Sequence, residues 1–124
     1  MIFLDTHVVI WLYTKELSRF SDRGIQALEE EVLNYSPMVM MELHLLHEIG
    51  RINIEPKVIL HYLEHAIGLE PDPLSLLPIA ETACFITWTS DSFDRMIASH
   101  ANYRKGKLLT RDGTMLENCR YTFW

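Results

Sequence analysis

The chain has few of the residues that brace a small protein from outside its core. Its 124 residues include two cysteines, Cys84 and Cys119, and neither has ligand spacing. A disulfide framework or a zinc site therefore has no support from the cysteines, and both thiols are expected to be reduced packing residues. Five glycines and five prolines form no Gly/Ser/Pro-rich stretch, which leaves no linker to divide residues 1–124 into more than one domain. Apolar runs are far too short to span a bilayer. Met1-Ile2-Phe3-Leu4 meets Asp5 with no basic residue before it, unlike a signal peptide, so a cytoplasmic protein away from the membrane is expected. Positive charge is scarce as well: 11 Lys and Arg stand against 17 Asp and Glu, a net charge of −6. That balance argues against a broad basic surface for gripping nucleic acid. It leaves room for a nuclease, because a carboxylate site carries negative charge that bound divalent cations reverse locally. G-x-S-x-G, P-loop and G-x-G-x-x-G motifs are missing, so serine hydrolase, NTPase and dinucleotide readings lack their motifs, and HExxH is absent as well.

What the chain does have is a regular alternation of short apolar runs and amphipathic segments. Ile2-Phe3-Leu4 reads as a buried strand that turns at Asp5-Thr6 directly into a helix carrying Val8, Val9, Trp11 and Leu12. Residues 22–33 place Ile25, Leu28 and Val32 at helical spacing, with Glu29, Glu30 and Glu31 turned to water. Ser36-Pro37 opens a helix that stops at Gly50. Further helices are expected over Pro56–Ile67, closed by Gly68; over Ile79–Trp88, after breaks at Pro71, Pro73 and Pro78; and over Phe93–Arg104, capped from Ser90-Asp91-Ser92. Lys107–Thr110 and Arg120–Phe123 read as strands, with a helical turn over Asp112–Leu116 between them. The order implies an α/β sandwich on a parallel sheet, whose ligand crevice lies beyond the carboxyl ends of the strands.

Four acids from four segments fall where strands end or helices begin. Asp5 and Asp112 each follow an expected strand, and Asp94 sits in a helix first turn with Asp91 three residues earlier. Glu42 falls within an apolar stripe of Met38, Leu45 and Ile49, so its carboxylate points at the core, where it needs a cation, donors or a raised pKa. Each also has a plain structural reading: Asp5 as an N-cap, Asp91 and Asp94 as a cap and its partner, Asp112 as a turn residue. Those readings do not require the four to converge. If they do converge, mutual repulsion raises their pKa values unless a metal neutralises them, and an all-oxygen ligand set suits Mg²⁺ or Mn²⁺ and phosphate chemistry. His44 with His47 and His61 with His65 have helical ligand spacing, but surface or packing roles are the commoner use. Arg95, Arg104, Lys105, Lys107 and Arg111 gather around the same segment, and Arg95 and Arg111 are the candidates for contact with RNA phosphates.

Taken with Trp11-Leu12, Ser36 and Glu42-Leu43, Leu77-Pro78-Ile79 and the closing Trp124, two stretches are the most specific: Asp91-Ser92-Phe93-Asp94-Arg95-Met96-Ile97-Ala98 and Leu108-Leu109-Thr110-Arg111-Asp112. With the opening Ile2-Phe3-Leu4-Asp5-Thr6-His7, the whole chain resembles a PIN domain, specifically the VapC-like toxins of toxin–antitoxin pairs. The resemblance implies a three-layer sandwich with a parallel sheet of four to five strands flanked by helices. It carries over Asp5, Glu42 and Asp94 as the acidic site, Asp112 as a frequent fourth member, and Thr6 and Thr110 as supporting hydroxyls, with Asp91 a further metal-ligand candidate. It further implies RNA cleavage by metal-activated water leaving a 5′ phosphate, a small antitoxin protein that blocks the site, and a homodimer. Where the family commonly has His-Arg-Asp-Pro this chain has Thr89-Ser90-Asp91-Ser92, losing a basic pair. The competing reading is a PIN-like binding module whose metal site is weak.

Overall fold

Ile2-Phe3-Leu4 is the central strand β1, and all three side chains are buried. Burial on both faces is what a continuous apolar run supplies in a parallel sheet. In the computed structural model, which describes all residues from Met1 to Trp124, β1 pairs in parallel with β2 (Leu33–Tyr35) on one side and β4 (Lys107–Leu109) on the other. β3 (Glu70–Pro71) extends the sheet beyond β2 and β5 (Thr122–Phe123) extends it beyond β4. The result is a five-stranded, all-parallel sheet of order β3-β2-β1-β4-β5. The chain winds outward from β1 to β3 in one direction and returns to β4 and β5 in the other. The topological switch point therefore lies between β1 and β4.

Seven helices flank the sheet: α1 (Thr6–Tyr13), α2 (Asp22–Glu30), α3 (Pro37–Glu48), α4 (Pro56–Ile67), α5 (Leu76–Ala83), α6 (Ser92–Tyr103) and α7 (Gly113–Asn118). Phe3 lies against the His100 ring of α6 at a centroid distance of 5.1 Å, while Ile2, its neighbour on the opposite side of the strand, lines a cleft with Arg23 and Ala27 of α2. α6 and α2 thus cover opposite sheet faces, which makes the three layers. Burying Phe3 contributes about 1.5–3 kcal/mol. It also bears on Gly106: a Cβ there would meet the Phe3 ring at 3.1 Å, so a larger residue in the turn from α6 into β4 requires the ring to give by a few tenths of an ångström. No helix is long and apolar enough to cross a membrane.

The expected elements are present, with four corrections. The α2 helix ends at Glu30, Val32 is exposed, and Leu33–Tyr35 is strand β2 where a continued helix was expected. Strand β3 was not expected at all; its Pro71 is tolerated because β3 is an edge strand. Pro78 stands in the first turn of α5, where its missing N–H costs nothing, so the helix begins at Leu76 and ends at Ala83, well short of Trp88. Cys119 is buried as expected, but Cys84 caps α5 on the surface.

Candidate metal centre

Because the strands run parallel, every strand's carboxyl end opens on one edge, and the acids collect there. Asp5 follows β1 and is the N-cap of α1, accepting the Thr6 N–H on Oδ1 at 2.8 Å. Its second oxygen accepts the Thr110 hydroxyl at 2.6 Å across the switch point. Thr110 follows β4 and its hydroxyl in turn accepts the Asp112 N–H at 3.0 Å. Both carboxylate oxygens of Asp5 are therefore held by the two central strands' exits, and Asp5 is 6% exposed. Asp112 caps α7 through Met115 N–H at 2.9 Å, and Asp91 caps α6 through Asp94 N–H at 2.9 Å. Asp5 and Asp91 are the N-caps expected, Asp112 is a helix cap where a turn residue was expected, and the same geometry turns these residues toward one cleft.

That cleft has a volume of about 390 Å³ and is lined by Asp5, His7, Trp11, Glu42, Asp91, Asp94, Arg111 and Asp112. All four acids expected to converge do so, and Asp91 joins them. Glu42, Asp91 and Asp94 each offer an oxygen within 4.8 Å of the others. Glu42 reaches the cleft by a different route from the one expected. The buried face of α3 is Val39 and Leu43, while Leu45 and Ile49 are exposed, so Glu42 sits on the flank of the buried face and is half-buried.

The electrostatics are those of crowded like charges. Burial pushes the Asp5 carboxyl up, against the pull of Thr110, Thr6 N–H and His7, and Asp112 pushes it further. Burial likewise raises Glu42, with Asp5 and Asp91 adding to the rise. The Thr6 hydroxyl is near enough to offset part of it, yet it is fully buried and completes no hydrogen bond of good geometry. Asp94 is pushed up to about 7, by burial first and then by Asp91, Asp5, Asp112 and Glu42. No carboxylate of the cleft forms an ion pair with Lys or Arg. Oxygen donors in ligand range, a buried hydroxyl without a partner and carboxyls held above their ordinary range together fit a hard divalent cation.

Of the two arginines expected near phosphate, Arg111 lines the cleft, its guanidinium carbon 5.7 Å from the Trp124 ring centroid. Arg95 does not: its Nε donates to the Thr89 carbonyl at 2.7 Å and it lines a separate shallow cleft beside Ala80 and Cys84. Trp11 is a wall residue that the sequence marked as part of an apolar pattern and of the family resemblance, and not as a site residue. A second polar cluster on the same edge was missed entirely. Asp72, directly after β3, accepts His100 Nε2 at 3.1 Å and Arg104 Nε and Nη2 at 3.0 and 2.8 Å, while His100 Nδ1 meets Ser36 Oγ at 3.0 Å.

A parallel α/β domain with a carboxylate centre at its switch point narrows the class of protein, and comparison with known families resolves it. The PIN domain family model matches residues 2–120, and the chain belongs to that family. No curated protein resembles it in sequence closely enough to count as a match. Among solved structures it is similar to a toxin–antitoxin complex from Klebsiella pneumoniae, at 17% identity and TM-score 0.68 over 100% of this chain and 97% of that one. It is similar to VapBC2 from Rickettsia felis bound to a promoter DNA fragment, at 15% identity and TM-score 0.66 over 99% and 96%. FitAcB from Neisseria gonorrhoeae matches at 22% identity and TM-score 0.63 over 100% and 97%.

Proposed function

We propose that the chain is a divalent-cation-dependent endoribonuclease that hydrolyses RNA phosphodiester bonds as the cytoplasmic toxin of a toxin–antitoxin pair. The observation that carries this reading is the gathering of Asp5, Glu42, Asp91, Asp94 and Asp112 in one cleft without a balancing Lys or Arg ion pair. Glu42, Asp91 and Asp94 are the residues that would hold Mg²⁺ or Mn²⁺, with Asp5 and Asp112 beside them. A cation bound there supplies charge neutralisation at the phosphate and lowers the pKa of the attacking water.

The chain's own residues prepare that chemistry. Thr110 and Thr6 N–H fix both oxygens of Asp5, so the innermost carboxylate is oriented before any ligand arrives. Arg111 is the cation of the cleft wall, placed to receive a phosphate that the acids alone would repel. Trp11, its one apolar wall residue, adds an aromatic surface on which a nucleobase can stack. The antitoxin reading draws support from the toxin–antitoxin complexes among the structural relatives. Leu76, Leu77 and Phe85, at 62%, 65% and 85% exposure, give apolar area for a partner, whether antitoxin or a second copy in a homodimer.

The test is cleavage of a mixed RNA substrate by wild type and by Asp94→Asn, each with Mg²⁺, with Mn²⁺ and with chelator. Activity that needs a cation, fails in Asp94→Asn and leaves 5′ phosphate ends is the expected result. Cleavage that survives both chelation and the substitution defeats the reading.

A further inference from the structure

We infer that α4 carries a second metal site, His61–Glu64–His65, for Zn²⁺, separate from the carboxylate cleft. The three side chains stand at i, i+3 and i+4 on one helix, a spacing that puts them on a common face. One donor atom from each lies within 4.8 Å of the other two. Zn²⁺ takes nitrogen and oxygen ligands at about 2.0–2.2 Å, which puts ligand atoms of a tetrahedral site about 3.3 Å from one another. Closing from the observed separation is a rotamer adjustment, and all three side chains are exposed and free to make it.

The helix backbone already prepares one ligand. His65 Nδ1 lies 2.9 Å from the His61 carbonyl oxygen. A carbonyl can only accept, so Nδ1 carries the proton and the neutral ring keeps its lone pair on Nε2. Metal-binding histidines are oriented by this kind of bond from the non-ligating nitrogen to a backbone carbonyl. The His61 and His65 rings sit 4.4 Å apart between centroids, and Glu64 forms no ion pair, so none of the three is committed elsewhere as a charged partner.

Donor chemistry separates the two sites. Two imidazoles and one carboxylate suit Zn²⁺ with a fourth position left open, whereas the all-oxygen cleft suits Mg²⁺ or Mn²⁺. Both histidines line an open groove of about 540 Å³ with Val58, Tyr62 and Ala66, none of which borders the acid cleft, so the fourth position opens on solvent.

Zn²⁺ titration of metal-free protein in excess Mg²⁺, read by a competing chromophoric chelator, tests the assignment. Wild type and the double variant Glu42→Gln/Asp94→Asn are expected to bind one Zn²⁺ per chain with equal affinity. His61→Ala and His65→Ala are expected to weaken binding at least about tenfold. Their far-UV circular dichroism should match wild type, since both residues are exposed. The assignment is overturned by a wild type that binds no Zn²⁺ at micromolar concentration, or by a Zn²⁺ equivalent that persists in the histidine variants and vanishes in the double carboxylate variant.

Discussion

The same sheet edge carries two polar clusters built on opposite principles. At the β1 and β4 exits, five carboxylates share one cleft with Arg111 and His7 as the cations or potential cations on its wall. At the β2 and β3 exits, a single carboxylate, Asp72, is met by an arginine, a histidine and the Leu74 N–H, all on one oxygen. Burial alone would push Asp72 up, but these donors outweigh it and hold its carboxyl below the ordinary range. Burial lowers His100, so it is neutral, with Nε2–H toward Asp72 and Nδ1 accepting from the Ser36 hydroxyl. One cluster is satisfied from within and ties β3, α3 and α6 together. The other is left in deficit, and that deficit is what a cation can use.

The sharpest way to break the comparison is to change one acid in each cluster. Asp94→Asn should lower nuclease activity on the order of 10³-fold, as expected for loss of a group acting on the proton or metal at the reacting centre. The melting temperature of the metal-free protein should stay the same or rise, because one of several repelling charges is gone. Asp72→Ala should do the reverse. Removing the carboxylate leaves Arg104 and the buried His100 Nε2–H without their partner, at a cost of about 2–3 kcal/mol, toward the low side for a broken charge pair because Arg104 is partly exposed. Urea unfolding reads it, and a loss below about 1 kcal/mol would mean that the two clusters do not differ in kind.

How far each cluster was legible in sequence follows from the same contrast. Most acids of the cleft are local signals: Asp5, Asp94 and Asp112 stand next to a strand run or a helix start and announce themselves by position, and parallel strands then bring them to one edge, whereas Glu42 lies mid-helix in α3. The Asp72 cluster has no local mark. Asp72 lies between Pro71 and Pro73, which reads as a break, and its partners His100 and Arg104 lie 28 and 32 residues away. His100 is on the buried face of α6, where a histidine looks misplaced until Asp72 and Ser36 are seen beside it. The strands show the same split. β1 and β4 are apolar runs with a following acid, while β2 is three residues at the end of a helical pattern and β3 is two residues whose pairing comes only from Asn34 and Tyr35 of its neighbour. Tertiary pairing, not propensity, makes those two strands.

A cation should sharpen the contrast. If Mg²⁺ or Mn²⁺ binds only the folded chain, a free concentration ten times Kd stabilises it by about 1.4 kcal/mol, a shift of several degrees in melting temperature. Asp72→Ala should keep that increment on a lower baseline, and Glu42→Gln should lose most of it. Equal increments in wild type and Glu42→Gln would place the ion outside the cleft.

The last expected effect is in pH, where the clusters have opposite signs. Folding raises Asp94 from 3.8 to about 7, so the folded state binds the extra proton and its stabilisation is full below pH about 4 and lost as pH rises through about 7. Folding lowers His100 and Asp72, so the unfolded state binds the extra protons, and stability falls on acidification, below 6.5 for His100 and below 3.8 for Asp72. Metal-free wild type should therefore lose melting temperature between pH 5 and pH 8 by more than Asp94→Asn does, and the difference between them should close below pH 4. Protons and cations compete for the same oxygens, so the increment from Mg²⁺ should grow over that interval in wild type. If wild type and Asp94→Asn trace parallel curves from pH 5 to pH 8, the carboxylates of the cleft are not repelling one another, and the deficit that distinguishes this cluster from its neighbour is absent.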